Sequence, residues 1–368
     1  MHETVSMMDT REPKLEEKVG FLSQSGAYSP AVGTVVCRET HMSWVFLAGD
    51  KAYKLKKPVR FPYLDFSTLA RRETACRAEL RLNRRLAPDV YLGVVELSAG
   101  LSGLSLGGPG RVVDWLVVMR RLDERQMLDR AIADGRVGIE HLDRISGVLV
   151  KFYRGAARAF TSPADHLRRW EQNLICNRHL LLDRRLGLPR SLVWYADRAQ
   201  RRFLAQRAPL LAERVLRHRI VDGHGDLRPE HIWLGDSLRI IDCLEFNPGL
   251  RAVDTLDELA YLDLELERLG AARAGEYIRR RVLWQLNDRP PEALFGFYRC
   301  HRAMVRARLA IAHLLEPHPR TPEKWPLLAR TYLRLAADDA ARLEQSVFRM
   351  RKGRPAPPPG AVDGSLRR

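Results

Sequence analysis

The chain has 368 residues and a formal net charge of +17, from 62 lysines and arginines against 45 aspartates and glutamates. This length suits two lobes or two domains with a substantial core, and five scattered cysteines without a C-x-x-C pair argue against disulfides and a structural zinc site. Residues 1–20 carry no signal-peptide core, and no apolar run of eighteen residues occurs, so we expect a cytoplasmic protein without a membrane span. The positive charge fits either a generally basic surface or an anionic ligand.

The first third of the chain predicts a small lobe that is mostly β-structure. Residues 1–28 look like a mobile lead-in, and a β-meander with one helix follows over residues 29–121. Strands are predicted at residues 34–37, 43–47, 52–56, 91–97 and 112–119. An apolar stripe over residues 65–86, ended by Pro88, predicts the helix.

The rest of the chain predicts a mostly helical lobe over residues 122–348. Periodic apolar patterns mark helices at roughly residues 124–133, 138–160, 163–181, 190–218, 254–286, 291–317 and 322–347. The acidic residues from Asp254 to Glu267 cover all faces of their helix, so most are expected at the surface. Residues 349–368 form a Pro-rich basic tail that should be disordered. The fold class is therefore α+β with two lobes.

The most informative stretch is a loop that leads into a short hairpin. Residues 232–234 and 238–241 look like two buried strands around a Gly235-Asp236 turn. The hairpin separates Asp226, on the loop before it, from Asp242, at the end of its second strand. This arrangement suits phosphoryl transfer, in which one aspartate takes the proton of an acceptor hydroxyl and another holds Mg²⁺ at the phosphates.

The run Asp226-Leu227-Arg228-Pro229-Glu230-His231 parallels a kinase catalytic loop. With this run and with residues 40–47 and 82–88, the chain resembles the aminoglycoside phosphotransferase family, in an uncharacterised bacterial subfamily of the protein-kinase-like fold. The resemblance covers roughly residues 33–310. It implies a β-meander-plus-helix N-lobe, a mostly helical C-lobe, ATP and magnesium as cofactors, and a small-molecule hydroxyl as acceptor.

The resemblance also implies roles for the loop residues. Asp226 would be the base, and Arg228 would be either a cation near the transferring phosphate or a solvated loop arginine. His224 would mainly shape the loop rather than transfer protons. Asp242 would hold Mg²⁺. His231 stands where the family has asparagine, as a second ligand or a supporting hydrogen-bond donor.

Other expected site residues come from the small lobe and from the segment after Asp242. Glu245 would be a further acid at the metal or a hydrogen-bonding residue of the loop. Lys54 would be the phosphate lysine, although alone it looks like a solvent-facing lysine, and we prefer Glu79 to Glu73 as its partner. Ser43 would contact phosphate from a turn that lacks glycine. Met119 would lie in the hinge that meets the adenine.

The sequence is compatible with three functions. The first is an ATP-dependent phosphotransferase acting on a small-molecule hydroxyl. The second is a pseudokinase or nucleotide-binding regulatory protein, favoured by the glycine-free turn and by His231. The third, a nucleic-acid-binding protein, has only the net charge and the basic tail in its favour. Neither the acceptor nor the oligomeric state follows from the sequence, because a fold does not determine a substrate.

Overall fold

The computed structural model describes residues 11–316, 319 and 321–352, which group into two compact units. The first unit contains the described residues up to Ala159 and Ile220–Asp288, and the second contains Phe160–Arg219 and the described residues from Arg289 onward. The lobe boundary predicted near residue 121 therefore lies inside the first unit. The reason is that the loops after residue 220 belong with the sheet.

The strands lie in the first unit. In chain order they are β1 (Val36–Glu39), β2 (Ser43–Ala48), β3 (Lys51–Lys56), β4 (Arg60–Phe61), β5 (Leu64–Asp65), β6 (Tyr91–Gly100), β7 (Gly103–Leu106), β8 (Arg111–Arg120), β9 (Ile220–Asp222), β10 (Ile232–Trp233), β11 (Arg239–Ile240) and β12 (Ala252–Asp254). Six of them form one antiparallel sheet in the order β1-β2-β3-β8-β6-β7. Only β1-β2-β3 follow the predicted β-meander, because β8, the last of the six along the chain, lies between β3 and β6. The pairs β4–β5, β9–β12 and β10–β11 are separate.

The helices account for most of the remaining described chain. They are α1 (Leu15–Leu22), α2 (Leu69–Asn83), α3 (Leu128–Ala133), α4 (Ile139–Gly155), α5 (Pro163–Leu181), α6 (Arg190–Leu216), α7 (Pro248–Arg251), α8 (Thr255–Arg268), α9 (Ala272–Gln285), α10 (Glu292–Ala312) and α11 (Lys324–Lys352). Helices α5, α6, α10 and α11 belong to the second unit and the others to the first. No described helix is both long and apolar enough to cross a membrane.

The described part of the predicted lead-in, residues 1–28, is folded onto the sheet, which corrects the expectation of a mobile segment. Leu22 and Tyr28 are buried in the core on one face of the sheet. Lys18 is only 4 % exposed, and its ammonium donates to the Asp114 carboxylate at 2.8 Å. The sequence did not indicate this anchor because a lysine in a polar stretch is usually solvated.

Helix α2 covers the other face of the sheet. Cys76 on the helix is buried with Tyr91 and Val117 from the strands. Successive side chains alternate across a strand, so Lys54 and Lys56 of β3 share a face, and Glu79 of α2 binds both of them. The helix therefore positions one buried acid against two lysines.

Helix α8 is buried where the sequence predicted an exposed acidic surface. The single helix predicted over residues 254–286 divides at Gly270, whose φ of 81° is left-handed, into α8 and α9. Every residue of α8 from Thr255 to Leu266 is buried. The carboxylates tolerate this because they find partners; Glu265, for example, accepts from Arg268 at 2.7 Å. Buried charges that are paired or hydrogen-bonded can remain ionised.

The second unit is helical around an aromatic core. Trp170 of α5 stacks on Tyr298 of α10, and Phe203 of α6 stacks on Phe297 of α10. Helix α6 is interrupted by a non-helical Arg207 two residues before a proline. Helix α11 continues to Lys352, so the remainder of the tail predicted over residues 349–368 lies outside the described residues.

Candidate active site

A cleft of about 700 Å³ in the first unit contains most of the predicted site residues. Its lining includes Lys54, Ser43, Met119, Asp226, Arg228, His231, Asp242 and Glu245. Glu79 and His224 are not part of this lining and act through the residues they contact. The strands of the sheet form one side, and the loops on either side of the β10–β11 hairpin form the other.

Lys54 joins the sheet to the hairpin. Its ammonium donates to Glu79 Oε1 at 2.9 Å and to Asp242 Oδ1 at 2.8 Å. Burial alone would lower the pKa of Lys54, but the Asp242 and Glu79 carboxylates raise it well above its ordinary value. Glu73, the alternative partner, lies on another face of α2 and pairs with Arg77 instead.

Lys56, on the same strand as Lys54, is a fully buried lysine that sequence reasoning missed. Its side chain is 0 % exposed, and it donates to Glu79 Oε2 at 2.6 Å and to Glu245 Oε1. Burial raises the pKa of Glu245, although Lys56 opposes this. Glu245 was expected at the metal or as a hydrogen-bonding loop residue. Because Lys56 already binds the Glu245 carboxylate, the structure favours the second alternative.

The segment that begins at Asp242 is held at its backbone. Asp242 has a left-handed φ of 63°, an uncommon conformation for a residue other than glycine. The Asp242 N–H donates to the Tyr91 hydroxyl at 3.1 Å, and the Cys243 N–H donates to Asn83 Oδ1 at 2.8 Å. Burial raises the pKa of Tyr91 well above its ordinary value, so the hydroxyl stays neutral. Groups from α2 and β6 thus fix the conformation of Asp242.

His224 shapes the loop before the hairpin. Its Nε2–H donates to the Ile241 carbonyl oxygen at 2.9 Å, and its Nδ1 accepts from the Asp226 N–H at 3.3 Å. Burial lowers the pKa of His224 to about 4, and the neighbouring His231 adds to the effect. A neutral ring with both nitrogens bonded to backbone suits the loop-shaping role expected from the sequence.

Buried Glu258 of α8 also supports this loop. It accepts a hydrogen bond from the Gly225 N–H and another, at 2.9 Å, from the Tyr153 hydroxyl. A Cβ at Gly223 would lie 2.9 Å from both oxygens of Glu258. The absence of a side chain at Gly223 therefore allows α8 to approach the loop closely.

Asp226 lies in the cleft with both carboxylate oxygens hydrogen-bonded. The hydroxyl of Tyr261, which is buried on α8, donates to Oδ1 at 2.9 Å, and Arg228 Nε donates to Oδ2 at 3.1 Å. Sequence reasoning missed Tyr261, because it lies 35 residues away and carries no local motif. Each donor binds a different oxygen of the carboxylate, so together they fix its orientation.

His231 faces Asp242 across the cleft. Its Nδ1 lies 2.9 Å from the Asp226 carbonyl oxygen, which can only accept, so Nδ1 carries the hydrogen and Nε2 carries the lone pair. Nε2 lies 3.5 Å from Asp242 Oδ2. The Asp242 side chain is 46 % exposed, and Lys54 holds its pKa below the ordinary range although burial opposes this. The ionised carboxylate is an oxygen ligand of the kind that Mg²⁺ and Mn²⁺ prefer, and the imidazole lone pair beside it can add a nitrogen ligand to a divalent cation.

The turn between β1 and β2 stands where kinases carry a glycine-rich phosphate cover. Ser43 N–H donates to Thr40 Oγ1 at 3.0 Å, and Thr40 Oγ1 donates to the Ser43 carbonyl oxygen at 2.9 Å. Buried Lys57 donates to the Thr40 carbonyl oxygen at 2.7 Å. Side chains rather than glycines therefore hold this turn. Elsewhere in the lining of the cleft, Met119 of β8 pairs with Ala52 of β3.

Comparison with known proteins first identifies the class. A choline/ethanolamine kinase family protein from Mesorhizobium loti aligns with a TM-score of 0.53 and 14 % identity, over 92 % of this chain and 100 % of that one. A thermostable mutant of aminoglycoside phosphotransferase APH(4)-Ia, in a ternary complex with AMP-PNP and hygromycin B, aligns with a TM-score of 0.51 and 11 % identity, over 89 % and 99 %. The chain therefore has the protein-kinase-like fold of these small-molecule kinases, which confirms the fold that the resemblance implied.

Particular relatives by sequence are mycobacterial. The uncharacterised proteins Rv2004c of Mycobacterium tuberculosis and Mb2027c of Mycobacterium bovis are each 35 % identical to this chain over 288 residues. The match covers 77 % of this chain and 56 % of each relative, so the chain spans little more than half the length of the curated relatives it matches. No protein-family model matches the chain.

Proposed function

We propose that the protein is a phosphotransferase that moves the γ-phosphate of ATP to a hydroxyl of a small molecule. The observation that carries the proposal is the meeting of Lys54, Asp226, His231 and Asp242 in one cleft. A cation for phosphate, donors for a divalent ion and a carboxylate base are the groups that phosphoryl transfer requires. The kinase-like fold supports the same reaction class by analogy.

The nucleotide and its metal fit the donors on the sheet side of the cleft. When bound, MgATP supplies the phosphoryl group and the divalent charge that neutralises it. Lys54, held in place by Glu79, would bind phosphate oxygens, and Asp242 with His231 Nε2 would hold Mg²⁺. Ser43 would contact phosphate, and the hinge at Met119 would meet the adenine.

Asp226 would act on the acceptor. Its carboxylate would accept a hydrogen bond from the acceptor hydroxyl and then take the proton, a contribution typically of about 10²–10⁴-fold in rate. Tyr261 and Arg228 keep the carboxylate in one orientation. Orientation matters here because a general base must lie within hydrogen-bond reach of the proton it removes.

A nucleotide-binding regulatory protein is the second candidate. The observation that favours it is that both Asp226 oxygens already accept hydrogen bonds, while a glycine-free turn stands in the place of the phosphate cover. Such a protein would bind the nucleotide without turnover.

An acceptor screen separates the two candidates. ADP formation is measured with MgATP and a panel of sugars, amino alcohols and aminoglycosides for the wild type, Asp226→Asn, and Asp236→Asn, a control at the exposed hairpin turn. Phosphotransfer predicts acceptor-dependent ADP formation that Asp226→Asn loses and Asp236→Asn keeps. Nucleotide binding without turnover on any acceptor would favour the regulatory candidate. If no nucleotide binds, both candidates are wrong.

A further inference from the structure

The Arg228 guanidinium is hydrogen-bonded to two groups that the proposed reaction needs. Its Nε donates to Asp226 Oδ2 at 3.1 Å, and its Nη2 donates to His231 Nε2 at 3.1 Å. One guanidinium therefore covers one oxygen of the base and the lone pair of the metal-binding imidazole. The side chain is only 20 % exposed, so water competes weakly for these hydrogen bonds.

The imidazole cannot bind Arg228 and a metal ion at once. Because Nδ1–H of His231 donates to the Asp226 carbonyl oxygen, Nε2 offers a single lone pair. A cation on that lone pair displaces the guanidinium N–H, and repulsion between the two positive charges also drives the guanidinium away from His231. Arg228 must then move away from His231.

Glu230 offers a second position for the guanidinium. Its Oε1 accepts from Arg268 Nη2 at 2.9 Å, whereas its Oε2 is buried and accepts no hydrogen bond from the residues the structure describes. Arg228 Nη1 is 3.9 Å from that oxygen, so a shift of about 1 Å would form a normal hydrogen bond. A buried carboxylate oxygen that accepts no hydrogen bond is costly, and such a move would supply one.

We infer that Arg228 is a positioning residue with two positions: bridging Asp226 and His231 before metal binding, and turned to Glu230 once a divalent cation occupies His231 Nε2. The move uncovers Asp226 Oδ2 for the acceptor hydroxyl at the time when the metal nucleotide arrives. The inference rests on the proposed phosphotransferase function. It gives Arg228 a role different from contact with the transferring phosphate.

The inference predicts the sign of the effect on cation affinity. Removing Arg228 abolishes its competition for His231 Nε2, so Arg228→Met should bind Mn²⁺ more tightly than the wild type, by about fivefold for one hydrogen bond of ~1 kcal/mol. Glu230→Gln weakens the second position and should lower Mn²⁺ affinity. An arginine that affected the cation through its charge alone would give the gain in Arg228→Met but none in Arg228→Lys, which keeps the charge, and that result would contradict the two positions.

The experiment titrates Mn²⁺ without nucleotide and follows the free ion by electron paramagnetic resonance. Arg228→Met, Glu230→Gln and Arg228→Met/His231→Ala are compared with the wild type and with Arg125→Met, a control at an arginine 87 % exposed. The gain in affinity should appear in Arg228→Met and vanish in the double variant. Arg228→Lys, whose single ammonium cannot bridge both groups in the same way, should show a smaller gain and serves if the methionine variant does not fold.

The outcomes separate this inference from the proposed function. If Arg228→Met and Arg228→Lys bind Mn²⁺ no more tightly than the wild type, while MgATP binding and acceptor turnover persist, the two-position role of Arg228 is wrong and the phosphotransferase proposal stands. If no folded variant, the wild type included, binds Mn²⁺ with or without ATP, both are wrong.

Discussion

Replacing Lys56 by methionine removes the buried cation that joins Glu79 to Glu245. Lys56 is 0 % exposed, and the Glu79 and Glu245 side chains that it contacts are 1 % and 7 % exposed. Methionine keeps most of the apolar volume, whereas the ammonium that lies 4.9 Å from the centroid of the Phe66 ring is lost with the charge. The substitution therefore tests the charge of Lys56 more than its packing.

The expected loss of stability follows from the partners that remain. Breaking a buried ion pair by removing one partner costs about 3–5 kcal/mol, because the other charge is left uncompensated. Glu79 keeps Lys54, but Glu245 loses the ammonium that binds its Oε1. We therefore expect Lys56→Met to lose about 3–5 kcal/mol of unfolding free energy. For a unit of this size, that loss lowers the melting temperature by roughly 6–20 °C.

The assay is urea unfolding of four proteins in a double-mutant cycle. The variants are Lys56→Met, Glu245→Met and their combination, with Lys151→Met as the control at an exposed helix position. Because an apolar pair leaves no buried charge at these two positions, the double variant should recover at least about 2 kcal/mol relative to the sum of the single variants. Additive losses, or a Lys56→Met variant as stable as Lys151→Met, would show that Lys56 does not stabilise the fold by compensating the Glu245 carboxylate.

Three further predictions concern the loop and the N-terminal helix. His224 has a folded pKa of about 4 against 6.5 when unfolded, so the unfolded chain binds the extra proton and stability should fall by about 3 kcal/mol as the pH drops from 6.5 to 4. The free energy of unfolding of His224→Gln should lack this part of the pH dependence. A variant with the same pH dependence as the wild type would contradict the role of His224. Gly225→Ala should cost at least about 1 kcal/mol in urea unfolding, because φ is 86° and the new Cβ would meet neighbours at 3.1–3.3 Å; a neutral effect would show that the loop relaxes. Lys18→Met should cost about 2 kcal/mol, since Asp114 loses one buried charged hydrogen bond but keeps Arg72; an unchanged urea midpoint would mean that the first helix is not anchored there.

The sequence predicts the parts of the site that depend on local spacing. Asp226 and Asp242 flank a short hairpin with a recognisable turn, so their proximity follows from a few residues of chain. The choice of Glu79 over Glu73 follows from the apolar stripe of one helix. Local patterns of this kind need no knowledge of distant packing.

Contacts between distant segments are not visible in the sequence. Lys56 and Glu245 are 189 residues apart, and nothing near either residue indicates an ion pair. The acidic helix α8 was wrongly expected at the surface for the same reason. Its buried carboxylates are stabilised by groups that the local sequence does not reveal, such as the Tyr153 hydroxyl, which donates to Glu258. Tertiary partners, rather than residue type, decide whether a charged side chain can be buried.

Calorimetric titration with ATP, in the presence and absence of Mg²⁺, shows whether the cleft binds a metal nucleotide. The wild type is compared with Lys54→Met, Asp242→Asn and the hairpin-turn control Asp236→Asn. We predict that the wild type and Asp236→Asn bind MgATP, that Asp242→Asn loses the Mg²⁺-dependent part of the affinity, and that Lys54→Met binds ATP more weakly with or without Mg²⁺. A wild type that binds no nucleotide, or an Asp242→Asn variant that binds MgATP as the wild type does, would contradict the assignment of this cleft as a metal-nucleotide site.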